Sequence, residues 1–504
     1  MTKIYFSPMR TGSISFQLLL DDALTYVNSH ESNKVVFVTC RGELRPCNNN
    51  LNSSKLRCLE CIGHSKYFEN KYAHRQINYI SLAKLSESEN SGTNHSFSYS
   101  SLDDVKKLEY KSIPIGLGIV SSYVSATRNI NPIMNGFNRN LLDKLIITSQ
   151  YLVDSFSSIL DSLDLKEVVL FNGRFSGLRD VFESALKNDI KVTTIEYLLT
   201  RDNLNASKVM FENALPHDVN YNTKQINELW LNKGIENKEQ LASEFFVRRK
   251  HGQFSGDKVF TTGQNKDLLP KNWDKSKRNF VIFNSSEDEY YSIGGDWDTV
   301  RVFESQNIGI NHIIKRLAGL SDIHIYIRIH PNLKNNNFDY VKDLEKINQK
   351  NVFIIKADSN ISSYKLMECS EKCIVFGSTM GVEATYWSKP VINLANSLYN
   401  NLDVAYYPES LVELDNLLLG TLEPKPKLGC LKFGLYNIYD SGESYNYIDY
   451  NFAKTTLFYK KLRVPVSLKI SNSFIIYKVL YMVTRILDFK HHYTNFLLKK
   501  NIRE

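Results

Sequence analysis

Hydrophobic positions along this chain keep two periods in turn. Runs with strand spacing, Lys3 to Phe6, Val35 to Thr39, Val168 to Arg174 and Lys191 to Glu196, are separated by helical stretches, Phe16 to Val27, Leu141 to Leu163 and Gly177 to Asn188. Alternating strands and helices predict parallel pairing through crossover helices, so the first part of the chain reads as a doubly wound α/β domain. The pattern restarts near Asn279. It gives a strand from Phe280 to Ser286, a helix through Leu317, and a strand marked by Ile325, Ile327 and Ile329. A helix from Val341 to Gln349, a strand from Val352 to Lys356, a helix from Tyr364 to Ser370 and a buried-strand run from Cys373 to Phe376 follow. A second Rossmann-like sheet is therefore expected. The implied organisation is an amino-terminal domain over 1–275, a second over 276–420 and an extension over 421–504. Residues 81–100, rich in Ser, Asn and Glu, read as a surface loop. The charged helical stretch 223–250, with its run Arg248-Arg249-Lys250, reads as a solvated face, and His217 as a solvent-exposed loop residue.

Open α/β sheets bind ligands at the carboxyl ends of their strands, which directs attention to particular side chains. Pro331 breaks the strand after Ile329, so Arg328 and His330 stand at its end. After Phe376 the turn Gly377-Ser378-Thr379-Met380-Gly381 opens a helix that carries Glu383. Such a turn offers an anion backbone N–H groups, two hydroxyls and a helix dipole, and a phosphate is the expected guest. Ser285 and Ser286 lead into the triplet Glu287-Asp288-Glu289. A carboxylate there suits a general base and equally suits a helix N-terminus that complements its own dipole. In the first domain, Asn172, Gly173, Arg174 and Glu196 fall at the ends of neighbouring strands, either as a functional group or as an ion pair at a sheet edge.

Composition narrows the partners. With 504 residues, 42% of them hydrophobic, the chain is long enough for two full domains and a tail. A net charge of +8 suits anionic ligands or an anionic membrane surface, and at this length also suits ordinary surface charge. No apolar run approaches the roughly 20 residues that span a bilayer. The first residues, MTKIYFSPMR, begin as a strand rather than a leader, so the expected location is the cytoplasm. There, seven cysteines need not form disulfides. Cys40, Cys47, Cys58 and Cys61 end in a C-x2-C spacing that structural zinc uses, with His64 as a further ligand. Thiols without metal are the other reading, since the first pair is wider than a standard knuckle. From Ser471 to Lys500, basic and apolar residues share helical spacing, which fits a helix lying on the anionic inner face of a membrane or one packed on the first domain. No sustained basic stripe with interleaved aromatics is present, which speaks against nucleic acid as a partner.

Two Rossmann-like domains facing across a ligand cleft constitute the GT-B architecture. With the cysteine-rich first loop, the NGR strand, the NSSEDE junction, RIHP and GSTMGVEATYWSKPVI in this order, residues 1–415 resemble bacterial surface-polysaccharide glycosyltransferases of the capsule and O-antigen type. The HP and Ser/Thr motifs are also similar to those of sialyltransferases, Kdo transferases and teichoic-acid glycerophosphotransferases. The resemblance implies a nucleotide-sugar donor of the cytidine type, with His330, Ser378 and Thr379 on its phosphate and ribose and Glu383 on a ribose or sugar hydroxyl. Arg328, His330 and the turn Gly377 to Gly381 would stabilise the departing phosphate without a metal, so catalysis would need no cofactor. Asp288 or Glu289, with Glu196 as second choice, would deprotonate a hydroxyl of a growing or lipid-linked glycan acceptor, and Asn172 and Arg174 would lie on the acceptor side. The D/E-D/E-G motif of sialyltransferases has no equivalent, because Glu287-Asp288-Glu289 is followed by Tyr290. The same fold and turn also serve nucleotide-sugar epimerases and non-catalytic sugar-nucleotide-binding components of capsule assembly.

Overall fold

The computed structural model describes residues 2–8, 13–82, 96–199, 206–253, 259–336, 338–439, 442 and 445–447. The chain forms two units. One comprises residues 1–199, 203–216 and 441–504, and the other 200–202 and 217–440. The boundary therefore falls near 217 rather than at 275. The physical reason lies in two helices, Val219–Leu231 and Lys238–Lys250, whose apolar faces belong to the second unit. Ile226, Phe245 and Phe246 share one buried cluster with Val281, Val375 and Phe433. The helix Leu428–Ile438 also packs there, so no extension begins at 421. The segment Ser471 to Lys500 lies outside the described residues, as does much of 81–100. Among the described residues no helix is long and apolar enough to cross a membrane.

The first unit is built on a six-stranded sheet and a small hairpin. Its strands are β1 (Thr2–Ser7), β2 (Lys34–Thr39), β3 (Ile77–Ser81), the hairpin pair β4 (Glu109–Tyr110) and β5 (Ile113–Pro114), β6 (Leu165–Phe171), β7 (Lys191–Leu199) and β8 (Ala206–Glu212). The sheet order is β3-β2-β1-β6-β7-β8, parallel throughout except for β8, an antiparallel edge strand that the sequence pattern did not reveal. Both faces are covered, since Ile4 and Phe6 enter one core cluster while Tyr5 enters another. Asp21 and Asp22, on the helix Ile14–Ser29, hold the fully buried Lys208 ammonium at 3.4 and 3.1 Å, and the Tyr5 hydroxyl donates to Asp22 at 2.7 Å. The Tyr447 N–H also donates to Asp21 at 2.8 Å, which ties the returning chain to this unit.

The second unit carries β9 (Arg278–Phe283), β10 (Ile323–Arg328), β11 (Val352–Ile355), β12 (Lys372–Val375) and β13 (Val391–Asn393). They form an all-parallel sheet in the order β11-β10-β9-β12-β13. Each unit is thus a Rossmann-like α/β sheet, as expected. In the second unit the direction of winding reverses between β9 and β12, and at such a switch point diverging loops leave a crevice over the strand ends.

The assignment of helix Lys238–Lys250 to the second unit rests on close approach at Gly434, where a Cβ would stand 2.6 Å from the Ala242 carbonyl and 2.7 Å from the Phe246 ring. Helix propensity alone would favour alanine there by about 1 kcal/mol. Overpacking opposes it, so Gly434→Ala is expected to lower stability by about 1–3 kcal/mol in urea unfolding. A stabilised variant would show that these helices do not pack as described.

Candidate functional site

Residues from five segments line one pocket above the carboxyl ends of β9, β10 and β12. Phe283 and Asn284 follow β9, Arg328, His330 and Pro331 follow β10, and Ser378, Thr379, Met380 and Glu383 follow β12. Arg249, Phe260, Thr261 and Gln264 come from the end of helix Lys238–Lys250 and the chain after it, and Ser363 and Tyr364 from the helix Ser363–Cys369. The space between these residues is about 510 Å³, counted out to open solvent.

Each predicted side chain has a defined posture. The His330 N–H donates to Asn284 Oδ1 at 2.7 Å, fixing the end of β10 against the end of β9. The ring accepts from the Asn332 N–H through Nδ1 at 3.2 Å, which assigns the proton of the neutral ring to Nε2. Phe260 stands edge-on to this ring, with centroids 4.9 Å apart. Arg328 is 2% exposed, and its two Nη groups donate to the carbonyls of Lys356 and Ser359 at 2.7 and 3.0 Å. Burial lowers its pKa to about 10, which keeps it cationic at neutral pH.

Glu383 lines the pocket and is also held by the protein. Its carboxylate is 1% exposed, and each oxygen already accepts a hydrogen bond from the protein: Arg249 Nε donates to Oε1 at 2.9 Å and the Tyr364 hydroxyl donates to Oε2. Burial and the adjacent carboxylate push the Tyr364 phenol well above its ordinary pKa. Arg249 also donates through Nη2 to Thr379 Oγ1 at 3.3 Å. Arg249 is therefore no part of a solvated face; it is buried and lines the pocket. The sequence carried a signal for this. Ala242, Phe245, Phe246 and Arg249 recur at helical spacing, so the arginine continues a buried stripe.

The glycines and serines around the pocket shape it rather than line it, apart from Ser363 and Ser378. Gly377 has φ +75°, donates its N–H to Asn393 Oδ1 at 2.9 Å, and has no room for a Cβ, which would sit 2.4 Å from the Asn396 carbonyl. At Gly381 a Cβ would meet the Tyr399 hydroxyl at 2.5 Å. Ser378 accepts from the Met380 N–H through Oγ at 3.3 Å. Ser285 donates to the Phe376 carbonyl at 2.6 Å and so fastens β9 to β12. Ser286 donates to Asp288 Oδ1 at 2.7 Å, Asp288 is buried, and the exposed Glu289 accepts from Asn332 Nδ2. None of Ser285, Ser286, Asp288 and Glu289 lines the pocket.

In the first unit, Asn172 follows β6 with φ +60°, and its Nδ2 donates to Glu196 Oε2 at 2.6 Å. Burial raises the Glu196 carboxyl to about 7, against the opposing pull of hydrogen bonds from Asn172 and the Tyr197 N–H. Arg174 Nε donates to Ser121 Oγ at 3.3 Å. Among the described residues no group of three or more His, Cys, Asp or Glu side chains is arranged to hold a metal. The C-x2-C pair, Cys58 and Cys61, lies on a helix, Lys55–Lys71, and Cys58 accepts from Asn50 Nδ2 at 3.4 Å. Burial pushes the Cys40 thiol far up, which opposes the thiolate that zinc requires.

Parallel sheet, switch point and polar pocket together define the second unit as a Rossmann-like α/β unit with a polar pocket at its strand ends. Residues 262–406 match the family model described as capsule polysaccharide biosynthesis protein, which bears out the resemblance seen in RIHP and GSTMGVEATYWSKPVI. A search of curated proteins returned no match. Among solved structures, the β-Kdo 2,4 transferase of Thermosulfurimonas dismutans KpsC aligns at 13% identity over 59% of this chain and 87% of that one, with a TM-score of 0.36. The β-Kdo 2,7 transferase of the same protein aligns at 14% identity over 63% and 90%, with a TM-score of 0.31. A UDP-GlcNAc 2-epimerase from Methanocaldococcus jannaschii aligns at 11% over 88% and 99%, with a TM-score of 0.25. Likeness at this level identifies neither substrate nor reaction.

Removing one member of the buried Arg249–Glu383 pair strands the other charge. Glu383→Leu is expected to cost about 3–5 kcal/mol, whereas Arg249→Met with Glu383→Leu should recover most of that loss in denaturant unfolding. Additive losses in the double variant would show that the two side chains do not act as a pair.

Proposed function

We propose that this protein is a glycosyltransferase of surface-polysaccharide assembly, and that the pocket of the second unit binds the phosphate and ribose of a nucleotide-sugar donor. The observation that carries this reading is the convergence of Arg249, Arg328, His330, Ser378 and Thr379 on one pocket from three separate segments. In the proposed mechanism the His330 Nε2–H and the Ser378 and Thr379 hydroxyls donate to phosphate oxygens. Charge then grows on the departing nucleotide phosphate, where the guanidiniums of Arg249 and Arg328 stabilise it. Glu383 positions Arg249, and Gly377 keeps the turn short enough for the hydroxyls to reach the guest. The cytidine base, the lipid-linked or growing glycan acceptor, a cytoplasmic site of action and contact with an anionic membrane surface complete the proposal.

The acceptor hydroxyl needs a base. Glu196 now ranks ahead of Asp288 and Glu289, because a carboxyl at about pKa 7 is matched to proton abstraction near neutrality.

Nucleotide binding is the first test. CMP at about 100 times its Kd should stabilise the protein by about 2.7 kcal/mol. The effect should be smaller for UDP and GDP, and no stabilisation by any nucleotide would sink the donor reading. With a competent donor and acceptor, His330→Ala should lose about 10²-fold or more of turnover with the fold intact. Full turnover in that variant refutes the assignment, and epimer formed without acceptor would move the protein to the epimerase class.

The Glu196 shift sets the pH behaviour. As a base it works ionised, so turnover should rise as pH passes through about 7, and that limb should vanish in Glu196→Gln. For stability the sign is opposite. The folded state binds this proton more tightly than the unfolded state, so the contribution is full below the ordinary carboxyl value of 4.5 and is lost as pH rises through about 7. A pH limb that persists in Glu196→Gln transfers the role to Asp288 or Glu289.

A further inference from the structure

A second concavity within the second unit takes no part in the donor pocket. It lies between the start of helix Val219–Leu231, the segment from Asp296 to Arg301 and the loop after β13, and encloses about 800 Å³, counted out to open solvent. Its lining is dominated by carboxamides, among them Asn220, Asn396 and Asn400, with the Arg301 guanidinium and the carboxylates of Asp296 and Glu409. These groups are fixed by one another. Asn396 Nδ2 donates to the carbonyls of Asp296 and Thr299 at 2.5 and 2.8 Å, while its Oδ1 accepts from Arg301 Nε and Asn400 Nδ2, each at 3.0 Å. Asn400 Oδ1 accepts from both the N–H and the hydroxyl of Ser397 at 2.9 Å. The Arg301 guanidinium lies 4.8 Å from the centroid of the Tyr407 ring, which holds its plane.

We propose that this groove binds a neutral, hydroxyl-rich glycan segment. A sugar diol presents a donor and an acceptor on adjacent carbons, and the groove answers with donors on the Arg301 Nη groups and the second Asn400 N–H and with acceptors on Asp296 and Glu409. Because these side chains are already held in place, a guest loses little to ordering them. The charge balance selects against other guests. A phosphate or a uronate would meet two carboxylates for one guanidinium, and a protein segment would find few apolar anchors, Val300 being the exposed one at 57%. An exposed valine beside planar amides suits the C–H face of a pyranose ring. The loop that lines the groove is also the one on which the glycine-rich turn packs, since the Asn393 amide accepts from Gly377 and the Asn396 carbonyl stands where a Gly377 side chain would lie.

Saturation-transfer NMR on the full chain with maltotriose, cellotriose and chitotriose tests this without any nucleotide. At least one of the three should bind, and its affinity should fall about five- to ten-fold in Arg301→Lys, in Asn400→Ala and in Glu409→Gln. Glu409 is exposed, so its substitution leaves the fold intact and keeps the test decisive if the other variants are unstable. Wild-type protein that binds none of the three, or binding undiminished in Glu409→Gln, overturns the proposal. The two readings fail separately: trisaccharide binding without any nucleotide binding would sink the donor reading and leave the groove standing.

Discussion

A carboxylate as buried as Glu383 is stable only with a cation and further donors supplied by the fold, and here Arg249 and Tyr364 supply both. That requirement links three segments far apart in sequence: helix Lys238–Lys250, helix Ser363–Cys369 and helix Met380–Tyr386. It also explains why the unit boundary precedes residue 217. The Arg249 helix must be packed before the arginine can reach Glu383, and its apolar stripe and the close contact at Gly434 accomplish that. The stacked pair Phe246 and Tyr386, with centroids 4.1 Å apart, reinforces the same junction.

Much of the fold was legible because β and α periods are local properties. Every strand named in the sequence appears, with ends displaced by up to three residues, and the parallel order follows from the spacing of the elements. The antiparallel edge strand β8 was not legible, since its chain direction is set by pairing with β7 and leaves no periodic trace. The His-Pro and the glycine-rich turn were legible for a related reason: Pro331 and Gly377 mark backbone that cannot continue a strand, and such breaks at strand ends are where open sheets place ligands.

Arg249 was not read from the sequence because its immediate neighbours, Arg248 and Lys250, suggested solvent exposure, whereas burial is decided by residues three and four positions earlier. Glu383 shows the converse. Its position on the helix after the turn suggested an outward role toward a sugar hydroxyl, yet helix position alone does not reveal that Arg249 and Tyr364 meet its two oxygens. The cysteines near the first loop illustrate a third kind of loss. C-x2-C spacing constrains two ligands, but a metal site needs the remaining ligands to converge, and among the described residues they do not.

The charge on the donor pocket follows from these placements. Its lining holds two guanidiniums, Arg249 and Arg328, and one carboxylate, Glu383, beside the His330 ring, whose Nδ1 accepts from the Asn332 N–H. Arg328 spends two of its five N–H donors on the Lys356 and Ser359 carbonyls, which fix its plane, while its Nε–H is not hydrogen-bonded among the described residues. One unit of positive charge is left uncancelled in a partly buried space, and burial already lowers the Arg328 pKa to about 10. An anionic guest relieves that cost and a neutral one does not, so in the proposed mechanism a phosphate-bearing donor is favoured because Glu383 neutralises only one of the two arginines.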